Sequence, residues 1–181
     1  MKKSINNLLR LSCVRCGRCC ARPKVPVNDI DIKRLMKATG KKADQIVRLY
    51  DGTEITFPPN REGWVRLDYG RRILGLKKKH GHCLFLGHDK RCLVYAARPV
   101  TCRTYPLVIR YDKAGKLVDM EFLKRVQCRS VLGKKQSLRK MLAVARQEDA
   151  EDRKYYIRLK VWNNKRKPGK IKEFYRFLGL G

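Results

Sequence analysis

Cys13-Val14-Arg15-Cys16-Gly17-Arg18-Cys19-Cys20 packs four thiols into eight residues. A CxxC turn can aim two sulfurs at one ion, and Gly17 supplies the backbone freedom that such a turn needs. The adjacent pair Cys19-Cys20 adds a constraint. Neighbouring side chains usually diverge, so both sulfurs would reach one mononuclear ion only through an unusual local backbone. Cys83, Cys92, Cys102 and Cys128 bring the total to eight cysteines, enough for two four-sulfur sites or one polynuclear cluster. Four thiolates in a tetrahedron describe structural zinc, and a CxxCxxC triplet with a remote fourth cysteine is one way to hold a four-iron cluster. The expected cofactor is therefore zinc or an iron–sulfur cluster, in one site or two.

In an oxidising compartment the same cysteines would read as disulfides. Met1-Lys2-Lys3 imitates the start of a signal peptide, but Asn6, Asn7 and Arg10 interrupt Ser4 to Ser12, and no apolar segment follows. No run approaches the roughly 18 apolar residues that a membrane span takes. These features predict a cytoplasmic protein with no membrane contact, its thiols reduced and open to metal. His80 and His82 stand beside Cys83 but follow Lys77-Lys78-Lys79, and they read as facing solvent or phosphate.

Outward from the cysteines the pattern is α+β: a small metal-stapled domain with N-terminal helices and short β-hairpins, then a long amphipathic helix and a basic tail. Division is expected at 1–133 and 134–181. Asn28 or Asp29 caps a helix with Ile32, Leu35 and Met36 at helical spacing. A second helix is predicted over Ala43 to Tyr50, then a strand over Thr53 to Phe57 closed by Pro58-Pro59. Hairpins follow from Trp64 to Leu76 about Gly70, and from Leu107 to Leu123 about Asp112-Lys113-Ala114-Gly115. Leu138, Met141, Leu142, Ala145, Tyr155, Leu159 and Trp162 mark one helix over Ser137 to Trp162. Its acids Glu148, Asp149, Glu151 and Asp152 read as i,i+4 partners of Arg153, Lys154 and Arg158 on a solvated face. Phe174, Phe177 and Leu178 mark a short last helix.

Charge points to the partner. The 181 residues hold 45 Lys and Arg against 16 Asp and Glu, a formal net charge of +29. A phosphate backbone relieves such self-repulsion and releases counterions as it does so. Arg71, Arg72, Lys77, Lys78, Lys79, Lys90 and Arg91 fall at expected turns near the cysteines. Lys134, Lys135, Lys165, Arg166, Lys167, Lys170 and Lys172 continue the basic series. Trp162, Phe174 and Tyr175 among them suggest base stacking. Charge spread through a small chain without a base-reading motif favours a ribosomal or ribosome-associated RNA-binding protein, contacting rRNA and neighbouring ribosomal proteins, over a sequence-specific regulator. Nothing requires catalysis: no strand leads into a GxGxxG-like turn, and CxxCxxCC is not the CxxxCxxC of radical SAM enzymes.

Three elements together resemble a known family: the N-terminal CxxCGxCC; Cys92-Leu93-Val94-Tyr95 through Arg98-Pro99 to Cys102-Arg103; and Tyr105-Pro106 followed by Cys128. They are similar to the CxxCxxCC cysteine-cluster family, a zinc- or iron-chelating domain also present in flagellin lysine N-methylases, over roughly residues 13–130. The resemblance implies metal ligands at Cys13, Cys16, Cys19, Cys20, Cys83, Cys92, Cys102 and Cys128, and implies a site rather than a reaction. A zinc or iron–sulfur enzyme of that family, modifying protein or RNA, is the alternative reading. One departure is Ala96-Ala97 after Tyr95, where family members commonly carry an acid.

Overall fold

The computed structural model describes residues 4–14, 16–21, 24–55, 57–58, 62–123 and 131–181. Helix α1 (Ile5–Leu9), strand β1 (Leu11–Ser12) and helix α2 (Arg18–Ala21) come first. Helix α3 (Asp29–Thr39) begins where the sequence places it. The Asn28 side chain accepts the Asp31 N–H at 2.8 Å, Asp29 and Asp31 occupy the first turn, and left-handed Gly40 ends the helix. The helix expected over Ala43 to Tyr50 is only one turn, α4 (Ala43–Ile46). Val47 to Tyr50 instead becomes strand β2 (Val47–Tyr50), drawn into a sheet by long-range pairing.

That sheet is built on the predicted hairpin of β3 (Trp64–Leu67) and β4 (Gly70–Leu76). Its order is β2-β4-β3, antiparallel throughout, with Val47 opposite Leu76 and Trp64 opposite Ile73. Gly75 in the central strand is a close-approach position. A Cβ there would lie 3.1 Å from the Tyr50 ring and from the Val25 carbonyl, which accepts the Leu76 N–H at 2.9 Å. No strand forms over Thr53 to Phe57 among the described residues, Thr56 lying outside them. Asp51 Oδ1 accepts the N–H groups of Thr53 and Glu54 at 2.9 and 3.0 Å, and this turn consumes donors that a strand would have offered.

Strands β5 (Lys78–Lys79) and β6 (His82–Cys83) form a small hairpin ahead of helix α5 (Val100–Thr104). The second predicted hairpin is β7 (Leu107–Tyr111) and β8 (Leu117–Phe122), turning at Gly115 with φ 78°. Strand β9 (Val131–Leu132) pairs with β1, and Leu8, Leu9, Leu11, Leu107 and Met120 make a small core beneath.

Helix α6 (Leu138–Asn163) runs for 26 residues from its Ser137 cap, and α7 (Ile171–Phe177) folds back on its end. Tyr155, Leu159, Trp162 and Phe174 share one core with Ile32, Leu35, Val65 and Leu74. The end of α6 also covers the outer edge of β3. Asn163 accepts the Arg66 N–H at 2.8 Å and donates to the Trp64 carbonyl at 2.7 Å, while Trp162 Nε1 donates to the Arg66 carbonyl at 2.8 Å.

Two expectations change here. Trp162, Phe174 and Tyr175 are 1%, 0% and 9% exposed, so they stack on one another's surroundings and not on bases. Most of the acidic block of α6 is turned inward, Asp149 staying exposed. Glu151 accepts from Arg34 at 2.6 Å and Asp152 from Asn28 at 2.9 Å, while Arg158 reaches Asp29 on α3 at 2.6 Å. The acids dock two helices together because α3 offers complementary groups at close range.

Trp162→Ala is expected to cost about 3–5 kcal/mol in chemical denaturation, through lost volume and the lost bond to β3. Ile157→Ala, on the exposed face of the same helix, should stay within about 0.5 kcal/mol. Equal effects of the two changes would contradict this packing.

Candidate metal centre

Gly17 sets the geometry of the first cysteine cluster. Its φ of 69° is left-handed, and a Cβ would lie 2.7 Å from the Lys90 carbonyl and 3.0 Å from the Leu86 side chain. The CxxCG turn is thereby pressed against the loop that carries Cys92, itself tied by the Leu86–Cys92 bridge and the Gly87–Arg91 hydrogen bond of 2.8 Å. Cys13 follows β1, Cys19 and Cys20 sit on α2, Cys83 ends β6, and Cys102 rides on α5.

All seven described cysteines, Cys16 among them, line one cavity of about 420 Å³. Cys128 lies outside the described residues. Cys83 is buried, Cys13 exposed, and the remaining five half-buried. His80 and His82 are exposed at the β5–β6 hairpin, and neither is among the described residues lining the cavity.

The adjacent cysteines do not diverge: Cys19 and Cys20 bring their sulfurs to 3.9 Å. A tetrahedral ion with metal–sulfur bonds of about 2.3 Å sets its sulfurs about 3.8 Å apart. The pair thus has the spacing of one edge of a thiolate tetrahedron, and the helical turn of α2 removes the obstacle that adjacency suggested. Cys20 also hydrogen-bonds Cys83, so the sulfurs of Cys19, Cys20 and Cys83 form a string. Among the described residues no three donors converge closely enough to hold one ion. The seven soft thiol donors that line the cavity fit zinc or iron.

Proton sharing along the string polarises it. Hydrogen bonding with Cys20 pulls the Cys19 and Cys83 thiols down, while Cys20 itself is pushed up by its two sulfur neighbours. Burial pushes Cys102 and Cys92 up. An incoming metal replaces the shared protons, so its uptake releases protons.

The basic residues read as RNA contacts divide into groups. Arg71, Lys79, Lys90, Arg91, Lys134, Lys135, Lys165, Arg166, Lys167, Lys170 and Lys172 are exposed, while Arg72 and Lys77 are half-buried. Arg91 pairs with Asp89 at 3.7 Å, Lys135 donates to Asn6 at 2.9 Å, and Lys165 lies 3.8 Å over the Trp162 ring. Lys78 turns inward. Its ammonium donates to the carbonyls of Ala21 and Gly81, at 3.2 and 2.8 Å, and its charge is felt at Cys83 and Cys20. The sequence did not reveal Asp31 as a brace of this site. It accepts the Val100 N–H at the start of α5 at 3.0 Å, and its place in a helix first turn reads as ordinary capping.

Among the described residues, no helix is long and apolar enough to cross a membrane. The family model described as CxxCxxCC, "Putative zinc- or iron-chelating domain", matches residues 12–129. No curated protein and no solved structure matches the chain.

In the reduced, metal-free protein, iodoacetamide should label Cys19 well ahead of Cys102 between about pH 6 and 8, as mapped by mass spectrometry. The gap should narrow as pH rises, because a lowered thiol is already ionised where a raised one is not. Gly17→Ala should weaken zinc retention against a chelator at least about tenfold, at an unchanged far-UV spectrum, since strain and backbone contact both oppose the side chain. Retention equal to the unsubstituted protein would contradict the geometry of the turn.

Proposed function

The chain belongs to the CxxCxxCC family of zinc- or iron-chelating domains, and from that premise we propose that its metal centre braces an RNA-binding surface of a ribosomal or ribosome-associated protein. The observation that carries this reading is the disposition of charge. Against 45 Lys and Arg stand only 16 Asp and Glu, and several of these acids are tied up within the fold. Asp29, Asp31 and Glu151 are buried, Asp51 and Asp112 close turns, and Glu173 accepts the Lys170 N–H at 2.9 Å to cap α7. What faces outward is more basic than the composition alone conveys, and a polyanion relieves it.

The metal contributes rigidity. The thiol cavity joins the CxxCG turn, the Cys83 hairpin, the Cys92 loop and α5, four segments that share little other regular structure. Lys79, Lys90 and Arg91 sit on two of them. Binding metal to thiols on all four fixes these cations relative to one another, so that their phosphate contacts act together. Contact is through phosphates and shape rather than stacking, because the aromatic rings near the C-terminus lie in the core.

Two measurements test the reading. Titration of metal-loaded protein into a structured rRNA fragment should give log affinity falling linearly with log salt. Arg166→Gln, Lys167→Gln and Lys172→Gln combined should make that slope shallower. The protein should also cosediment with ribosomal subunits through a moderate-salt cushion. Salt-independent binding, or recovery only in the soluble fraction, would contradict the proposal.

A further inference from the structure

The wall of the thiol cavity carries Lys90, Arg98 and Arg103, and no carboxylate among the described residues. Four thiolates around Zn²⁺ leave about two surplus negative charges, and four around an oxidised four-iron cluster leave the same. Holding that charge in a partly buried site is costly unless cations face it. The demand is the same whichever metal is bound.

Arg98 is built to meet it. Its guanidinium lies 3.9 Å from the centroid of the Tyr95 ring, and its own carbonyl accepts Arg103 Nε at 3.2 Å. Pro99 then starts α5, so backbone and side chain are both fixed. Among the described residues no carboxylate forms an ion pair with it. Its charge is nevertheless felt at Cys19 and Cys92, which lie on separate segments. A half-buried arginine stacked on a ring, lacking an acid and lying beside thiols, has the metal–thiolate centre as its natural counter-ion.

We infer that Arg98 is the counter-charge of the metal centre, a positioning residue that offsets the surplus negative charge beside Cys19 and Cys92. Lys78, held by the Ala21 and Gly81 carbonyls near Cys20 and Cys83, supplies a second cation. Because arginine stays protonated at any working pH, the site keeps this charge whether metal is bound or not. The thiols are thus readied for the ion before it arrives. Partners of metal ligands in this outer position typically govern affinity by about 10–100-fold.

The test uses Co²⁺ with reduced, metal-free full-length protein, following thiolate-to-cobalt absorption in competition with a chelator. Arg98→Gln should lower Co²⁺ affinity about 10–100-fold and move the pH midpoint of uptake upward, and Arg98→Lys should restore most of the affinity. Arg98→Met, which keeps the apolar stem over Tyr95, should repeat the loss if the glutamine variant does not fold. Unchanged affinity in Arg98→Gln or Arg98→Met, or an equal deficit in Arg98→Lys, would overturn the inference. It rests on metal binding at this cavity. Failure of the unsubstituted protein to take up Co²⁺ would defeat that reading instead.

Discussion

Asp31, 2% exposed in the first turn of α3, accepts the Val100 N–H at 3.0 Å and a guanidinium nitrogen of Arg34 at 2.5 Å. The other arm of Arg34 reaches Glu151 on α6 at 2.6 Å. One buried carboxylate therefore fixes the entry to α5, and with it Cys102, against the packed pair of α3 and α6. Burial pushes this carboxyl up to about 6, against the pull of the Val100 N–H and of Arg34. Such a network adds little net stability compared with apolar packing, but removing one member leaves the others buried and unpaired. Its role is registry: the thiol cavity sits where it does because α5 has one place to start.

From that registry the two halves of the charge distribution follow. Asp29, Asp31, Glu151 and Asp152 gather at the seam between α3 and α6, and Asp51, Asp112 and Glu173 serve turns or a helix start, each with a specific donor. Arg98 and Lys78 are drawn to the thiols, and the other cations remain outside. A metal–thiolate centre is itself anionic, so in the proposed reading a basic chain suits it doubly: cations beside the thiols would offset the centre's charge, and cations outside would be left for phosphate. The proposed link between metal and RNA is mechanical, since the metal joins loops that the short sheets leave loosely connected.

Much of this was legible in the sequence, because the decisive signals are local. Asn28 before an amphipathic run, Gly70 and Asp112 to Gly115 between apolar stretches, and Ser137 before a periodic one each specify an element through its own chemistry. The clustered cysteines likewise marked the site, and the cavity collects every described one. What was not legible depends on partners distant in the chain. Val47 to Tyr50 becomes a strand only because β4 is there to pair with it. Asp51 makes a turn of an apparent strand. Glu151, Asp152 and Arg158 find partners on α3 rather than along their own helix, and Trp162 is buried by Phe174 and Phe177, at 5.1 and 5.4 Å between centroids. The divergence expected of Cys19 and Cys20 failed for a local reason, since one turn of helix brings their sulfurs to 3.9 Å.

X-ray absorption at the zinc or iron edge, on protein purified anaerobically with its native metal, addresses the thiol cavity most directly. The geometry predicts a first shell dominated by sulfur, at about 2.3 Å for zinc. A shell dominated by nitrogen or oxygen would contradict the assignment of the metal to the cysteine cavity.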